Sequence, residues 1–182
     1  MNEAHLIAGL GNPGAKYDHT RHNIGFRVLE ELASVWGGTW SDEKKFKARM
    51  SRATVEGRTL HLCQPQTFMN LSGICVAKFK QFFKINEKNI FVIYDDIDLN
   101  FGDTKLKLGG GDAGHKGVRS ISQHLGTKDF NRIRMGIGRP STKEEVSSFV
   151  LSNFSKTESD SAKILIKNLC DDFEKIIQKN LV

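Results

Sequence analysis

At 182 residues, with 38% apolar and 26% charged residues, the chain has the size and make-up of one soluble globular domain, not of a disordered or fibrous chain. No apolar run reaches the ~20 residues that span a bilayer, so no membrane association is expected. Met1-Asn2-Glu3-Ala4-His5 lacks the basic and apolar regions of a signal peptide, which points to the cytoplasm. A net charge of +6 suits a polyanionic partner such as nucleic acid without requiring one.

Leu6-Ile7-Ala8-Gly9-Leu10 is a short apolar run stopped by the turn signal Gly11-Asn12-Pro13-Gly14, and reads as a buried first strand. A loop to about Arg21 leads into a helix from His22, with apolar positions at Ile24, Phe26, Val28, Leu29, Leu32 and Val35 and a stop at Gly37-Gly38. Lys47 to Val55 and Thr59 to Cys63 form a hairpin around Glu56-Gly57. Gln64-Pro65-Gln66-Thr67 is a loop, and Ser72 to Phe83 has helical periodicity. Ile90 to Tyr94 is a second buried strand running into Asp95, and Thr104 to Leu108 a further strand entering Gly109-Gly110-Gly111. Val118 to Leu125 is helical, Arg132 to Ile137 is a strand, and a polar patch from Ser155 to Ser161 precedes a last amphipathic helix from about Ala162 to Lys179. Alternation of strands and helices predicts the α/β class, a single domain over residues 1–182 with a twisted mixed central β-sheet flanked by helices.

Asn12, Asp95 and the Gly-rich loop each follow an apolar strand, where α/β folds place their ligands. His22 is the natural general base, or else a helix-start histidine without a role. A carboxylate at Asp95 could hold one ring nitrogen and leave the other to take a proton from water. Asp95, Asp96 and Asp98 could instead be a hard-cation site or a solvated loop. Asn12 and Asn70 can donate to a developing oxyanion, or simply satisfy loop backbone. Gly109 to Gly117, with His115 and Lys116, offers backbone N–H groups before a helix but matches no nucleotide-binding fingerprint. Lys105 with Lys107, and Arg132 with Arg134, are two apart on strands and could form a basic stripe for phosphate, or a solvated face. Cys63, Cys75 and Cys170 lie far apart in sequence and read as reduced, mostly buried thiols, with a nucleophilic Cys75 the weaker alternative because its segment reads as a helix face.

Gly9-Leu10-Gly11-Asn12-Pro13-Gly14, Thr20-Arg21-His22-Asn23-Ile24-Gly25, Pro65-Gln66-Thr67-Phe68-Met69-Asn70-Leu71-Ser72-Gly73, Tyr94-Asp95-Asp96-Ile97-Asp98-Leu99, Lys107-Leu108-Gly109-Gly110-Gly111 and Arg134-Met135-Gly136-Ile137-Gly138-Arg139-Pro140 resemble, in order, the bacterial peptidyl-tRNA hydrolase family. The resemblance runs from about Leu6 to Pro140 and implies a monomeric, cofactor-free cytosolic esterase. Such an enzyme cleaves the ester between peptide and tRNA and frees tRNAs that dropped off or stalled in translation. By the family pattern His22 is the base that activates water, Asp95 keeps it basic, and Asn12 tells a blocked from a free amino group. Tyr17, Phe68 and Asn70 would line the site for the acceptor end and first peptide units, and Lys107 and Arg134 would clamp the tRNA 5′-phosphate. The family usually reads Gly-Gly-His-Asn-Gly where this chain has Ala113-Gly114-His115-Lys116-Gly117, so a substrate-contacting amide is replaced by an ammonium that only donates. A relative of the family, a chloroplast intron-splicing factor, reuses the fold to bind RNA, so a non-catalytic RNA-binding module is the alternative.

Overall fold

The computed structural model describes residues 4–179. Residues 1–3, part of the opening stretch read above for a signal peptide, and residues 180–182 lie outside the described residues. The elements are β1 (Ala4–Gly9), α1 (Ile24–Val35), β2 (Ser41–Glu43), β3 (Ala48–Val55), β4 (Arg58–Pro65), α2 (Ser72–Phe83), β5 (Ile90–Asp96), β6 (Thr104–Leu108), α3 (Lys116–Leu125), β7 (Asn131–Gly136), α4 (Val146–Val150) and α5 (Lys156–Lys179). They build one seven-stranded sheet of order β2-β3-β4-β1-β5-β7-β6. Its centre is parallel, β4 to β1 to β5 to β7, and β3 and β6 run against it. The β3–β4 reversal turns on Glu56 and Gly57, both left-handed (φ 47° and 76°), the geometry of a tight two-residue hairpin.

The apolar runs of β1 and β5 are continuous because both faces of those strands are covered. Ile7, Phe91 and Ile93 pack with α1 and α5, while Leu6, Ala8, Val92 and Tyr94 pack with α2 and α3. Parallel strands put their C-terminal ends on one edge, so the loops after β1, β4 and β5 open side by side. The start of α1 is pressed onto that edge through two glycines. A Cβ on Gly9 would lie 2.3 Å from the Gly25 carbonyl oxygen, and one on Gly25 would lie 2.5 Å from the Ile93 carbonyl oxygen and the Leu10 nitrogen. That close approach lowers the turn before α1, which carries His22, onto the end of β5.

Two local readings change, and two short elements had no sequence signal. Gln64 and Pro65 belong to β4, paired with Arg49 and Ala48, and the short edge strand β2 was not legible in Ser41–Glu43. The polar stretch from Ser155 to Ser161 is the first turns of α5, not a separator. Its reason is a capping box: Ser155 Oγ accepts from the Glu158 N–H and Glu158 Oε2 accepts from the Ser155 N–H. The short α4 carried too few residues to show a period.

All three cysteines are free and buried. Cys63 and Cys75, distant in sequence, meet in the core with their sulfurs 3.1 Å apart. The bond from Cys75, together with burial, raises the Cys63 thiol well above its ordinary value, and burial pushes Cys170 up to about 12. Cys75 is fully buried between α2 and the sheet and is not among the residues lining the cavity described below, which argues against a nucleophilic role.

His61 on β4 is buried between the Phe79 and Phe83 rings. Burial, aided by Arg52, lowers its pKa from 6.5 to about 4. A lowered histidine pKa means the unfolded chain binds the proton first, so stability present above the unfolded value is lost as pH falls toward the folded one. Thermal or denaturant unfolding at pH 7 and pH 5 is expected to show a loss of about 1–2 kcal/mol that His61→Phe abolishes. An equal pH response in both proteins would assign the loss to other groups.

Candidate active site

The loops after β1, β4 and β5 and the start of α3 surround a cavity of about 690 Å³. It is lined by Asn12, His22, Phe68, Met69, Asn70 and Asp95, together with His115 and Lys116. At its base His22 Nδ1 lies 2.9 Å from each oxygen of Asp95, and His115 Nε2 lies 3.0 Å from Asp95 Oδ1. Asp95 is 2% exposed. Burial alone would raise its pKa, but the two imidazoles, through charge and hydrogen bonds, hold the carboxyl well below the usual carboxylate range.

The ring protons are assigned from these contacts. An ionised carboxylate only accepts, so His22 carries its proton on Nδ1 and donates it to Asp95. In the neutral ring His22 Nε2 then carries the lone pair, and no hydrogen-bond partner is found for it among the described residues. His115 caps α3: its Nδ1 accepts from the Gly117 and Val118 N–H groups. Its proton must therefore sit on Nε2, which donates to Asp95. The donor atoms of His22, Asp95 and His115 lie within 4.8 Å of one another, a spacing a metal could use. The cap works against that use, because a protonated Nε2 has no lone pair to offer. The His115 ring borders the cavity, with both nitrogens engaged within the protein.

Asn12 is locked in place by Asn23, one residue beyond His22. Asn23 Nδ2 donates to the Asn12 carbonyl and Asn23 Oδ1 accepts from the Asn12 N–H, both at 2.9 Å. Asn12 Oδ1 accepts from the Met69 N–H at 2.8 Å, which leaves the amide Nδ2 as the end able to donate into the cavity. One asparagine thus ties the loop after β1 to the turn bearing the histidine, and a second ties that loop to the one bearing Phe68 and Asn70. Asn23 was passed over in the sequence; its only signal was a short polar side chain in the first turn before an apolar helix.

Phe68 is 58% exposed, a large ring left open at the cavity rim with Asn70 beside it. Lys116 opens α3 and is exposed on the same rim. Tyr17 sits on a separate turn (Ala15–Tyr17) with Lys16 over its ring and is not among the cavity-lining residues. Asp96 is paired to Arg134 (Oδ2 to Nε 2.7 Å) and accepts from the Asp98 N–H, and Asp98 pairs with Arg139. Asp96 and Asp98 therefore face arginines and backbone while Asp95 faces the two imidazoles, so the three aspartates do not converge on one ion site. Across the β6–β7 ladder Lys105 stands opposite Arg134 and Lys107 opposite Arg132, so all four share one face. Arg132 leaves the anticipated basic stripe: it is 1% exposed and donates to the Gly110, Gly111 and Lys128 carbonyls, holding the Gly-rich loop in shape. Val146, Val150 and Leu151, from and just after α4, add an apolar wall, with Ser147 beside it, that no sequence motif announced.

An α/β sheet whose strand ends and adjoining turns bring together an imidazole, a buried carboxylate behind it and amide donors around it is the framework of a hydrolase working by general-base attack of water. The family model for peptidyl-tRNA hydrolase matches residues 6–182, and the chain belongs to that family. A peptidyl-tRNA hydrolase of Mycobacteroides abscessus is 45% identical over 99% of this chain and 92% of its own length. One from Rickettsia bellii is 46% identical, over 97% and 95%. The crystal structure of peptidyl-tRNA hydrolase from Acinetobacter baumannii superposes with a TM-score of 0.93 at 38% identity, covering 100% of this chain and 92% of that one.

Proposed function

We propose that the protein hydrolyses the ester of peptidyl-tRNA, releasing the peptide as an acid and the tRNA with a free terminal hydroxyl. The observation that carries this reading is the His22–Asp95 contact, which leaves Nε2 bare in a cavity beside Asn12 and Asn70. His22 Nε2 removes a proton from water as its oxygen attacks the ester carbonyl, and Asp95 stabilises the imidazolium that forms. Asn12 Nδ2, Asn70 and the Lys116 ammonium are the donors for the developing oxyanion. The imidazolium then returns its proton to the departing ribose oxygen. The ester is an activated bond, so a base worth ~10²- to 10⁴-fold together with oxyanion donors suffices. No step named here calls on a cofactor, and a monomer is the acting unit in this reading. The retained base and its carboxylate favour this reading over a non-catalytic RNA-binding module. Incubation with an N-blocked aminoacyl-tRNA and its unblocked twin tests it: cleavage of the blocked form alone is expected, and cleavage of neither would refute it.

For the tRNA itself, Lys107 and Arg134 share a sheet face next to the Gly-rich loop and are the candidates for the 5′-phosphate. Lys107→Ala is expected to weaken tRNA binding with a salt slope shallower by about one. Arg134→Ala is expected to cost more, since it also leaves the buried Asp96 without its ion pair. An unchanged salt slope would mean these charges only face solvent. At Lys116, restoring the amide with Lys116→Asn is expected to keep or raise turnover, because an amide donates to the oxyanion and also accepts from water. A large fall in kcat would show that the ammonium has been recruited into the chemistry.

A further inference from the structure

We infer that Arg21 is a positioning residue that pins the α4 wall of the cavity to the turn carrying His22, and thereby sets affinity for the acyl part of the substrate rather than the speed of ester cleavage. The kinetic part of this inference rests on the function proposed above; the structural part does not.

Arg21 precedes the base in the same short turn, yet its side chain leads away from the chemistry. The side chain is 9% exposed. Its Nη1 donates to Ser152 Oγ at 2.6 Å and to the Asn153 carbonyl at 2.8 Å, and its Nη2 pairs with Glu158 at 2.8 Å. The guanidinium also lies over the Phe149 ring at 4.3 Å and near the Phe154 ring at 5.3 Å. The backbone follows suit: the Arg21 N–H donates to the Ser152 carbonyl, and Thr20 bridges to Asn153. These partners run from Phe149 in α4 through Ser152, Asn153 and Phe154 to Glu158 in the first turn of α5.

That stretch needs an anchor. A five-residue helix has no stability of its own, and none of the residues of α4 is buried. Before α4, Arg139 pairs with Asp98, but both are well exposed and such a pair contributes little. Val146, Val150 and Leu151 line the same cavity as His22 and are apolar, so they suit peptide rather than phosphate. A planar fork of five N–H donors can reach Ser152, Asn153 and Glu158 at once; a lysine ammonium in the same place cannot span them.

The test compares the parent with Arg21→Gln and Arg21→Lys, and with the double variant Ser152→Ala, Glu158→Gln, which removes partner groups while keeping the arginine. Kinetics use N-blocked aminoacyl-tRNA, and amide hydrogen exchange is followed over residues 146–153. For Arg21→Gln, KM is expected to rise about tenfold with kcat within about twofold, the loss of one or two charge-assisted bonds in binding. The pH profile of kcat is expected to stay in place, because the His22–Asp95 contact is untouched. Exchange across 146–153 is expected to quicken, and Arg21→Lys to resemble Arg21→Gln. A fall in kcat at constant KM, or a lysine variant equal to the parent, overturns the inference. So does unchanged exchange, whatever the kinetics. If Arg21→Gln does not fold, the double variant decides by the same two readouts. If the parent itself cleaves nothing while exchange quickens in the variants, the proposed function fails and the anchoring role stands.

Discussion

His22→Ala is expected to lower kcat for an N-blocked aminoacyl-tRNA by about 10²- to 10⁴-fold while leaving tRNA binding within about twofold. The split follows from where the histidine sits. Its Nδ1 faces the buried Asp95 and its ring lines the cavity, whereas Lys107 and Arg134 are not among the residues lining it. Removing the ring takes away the acceptor for the proton of water and none of the proposed phosphate contacts. Single-turnover cleavage separates chemistry from product release, and filter binding of uncharged tRNA reports the second quantity. Cleavage at the parental rate would mean that another group is the base.

Asp95→Asn is expected to be nearly as damaging, about 10³- to 10⁴-fold in kcat, with the fold intact. The carboxylate accepts from two rings at once, His22 Nδ1 and His115 Nε2. An amide has one accepting oxygen and an NH₂ that demands an acceptor. The His115 proton is held on Nε2 by the cap of α3, so the amide oxygen turns toward His115 and the NH₂ toward His22. His22 Nδ1 must then accept, its proton moves to Nε2, and the nitrogen facing water no longer has a lone pair. The same geometry sets the sign for acid. Asp95 is depressed, so its stabilising contacts are fully present above the unfolded carboxylate value and are lost only as pH falls toward the folded one. A rate within about threefold of the parent for Asp95→Asn would remove the carboxylate from the mechanism.

His115 illustrates how much a linear reading can hold. In the chain it is one residue of a Gly-rich run that invites a ligand, and nothing local says that its two nitrogens are both committed. One is claimed by the first turn of its own helix, a contact two and three residues away. The other is claimed by a carboxylate 20 residues earlier, which only the pairing of strands and the crossover through α3 bring near. Arg132 makes the same point from the opposite side. Its spacing from Arg134 correctly placed both on one face, but whether that face was open depended on a loop folding back over it.

What the chain determined by itself was whatever depends on near neighbours and on period. The apolar runs of β1 and β5, the helical spacing in α1, α2 and α3, the hairpin at Glu56-Gly57 and the polar side chains at strand ends are all local, and all lie where the pattern puts them. The order of six short motifs also carried the family. Tertiary structure alone decided the protonation of the two imidazoles, the engagement of Arg132, the meeting of Cys63 with Cys75, and the α4 wall with its tie to Arg21. Each of those rests on a contact between segments far apart in sequence. Hydrogen-bond direction, burial and charge pairing are properties of what surrounds a group, and no side chain carries its surroundings in its own stretch of chain.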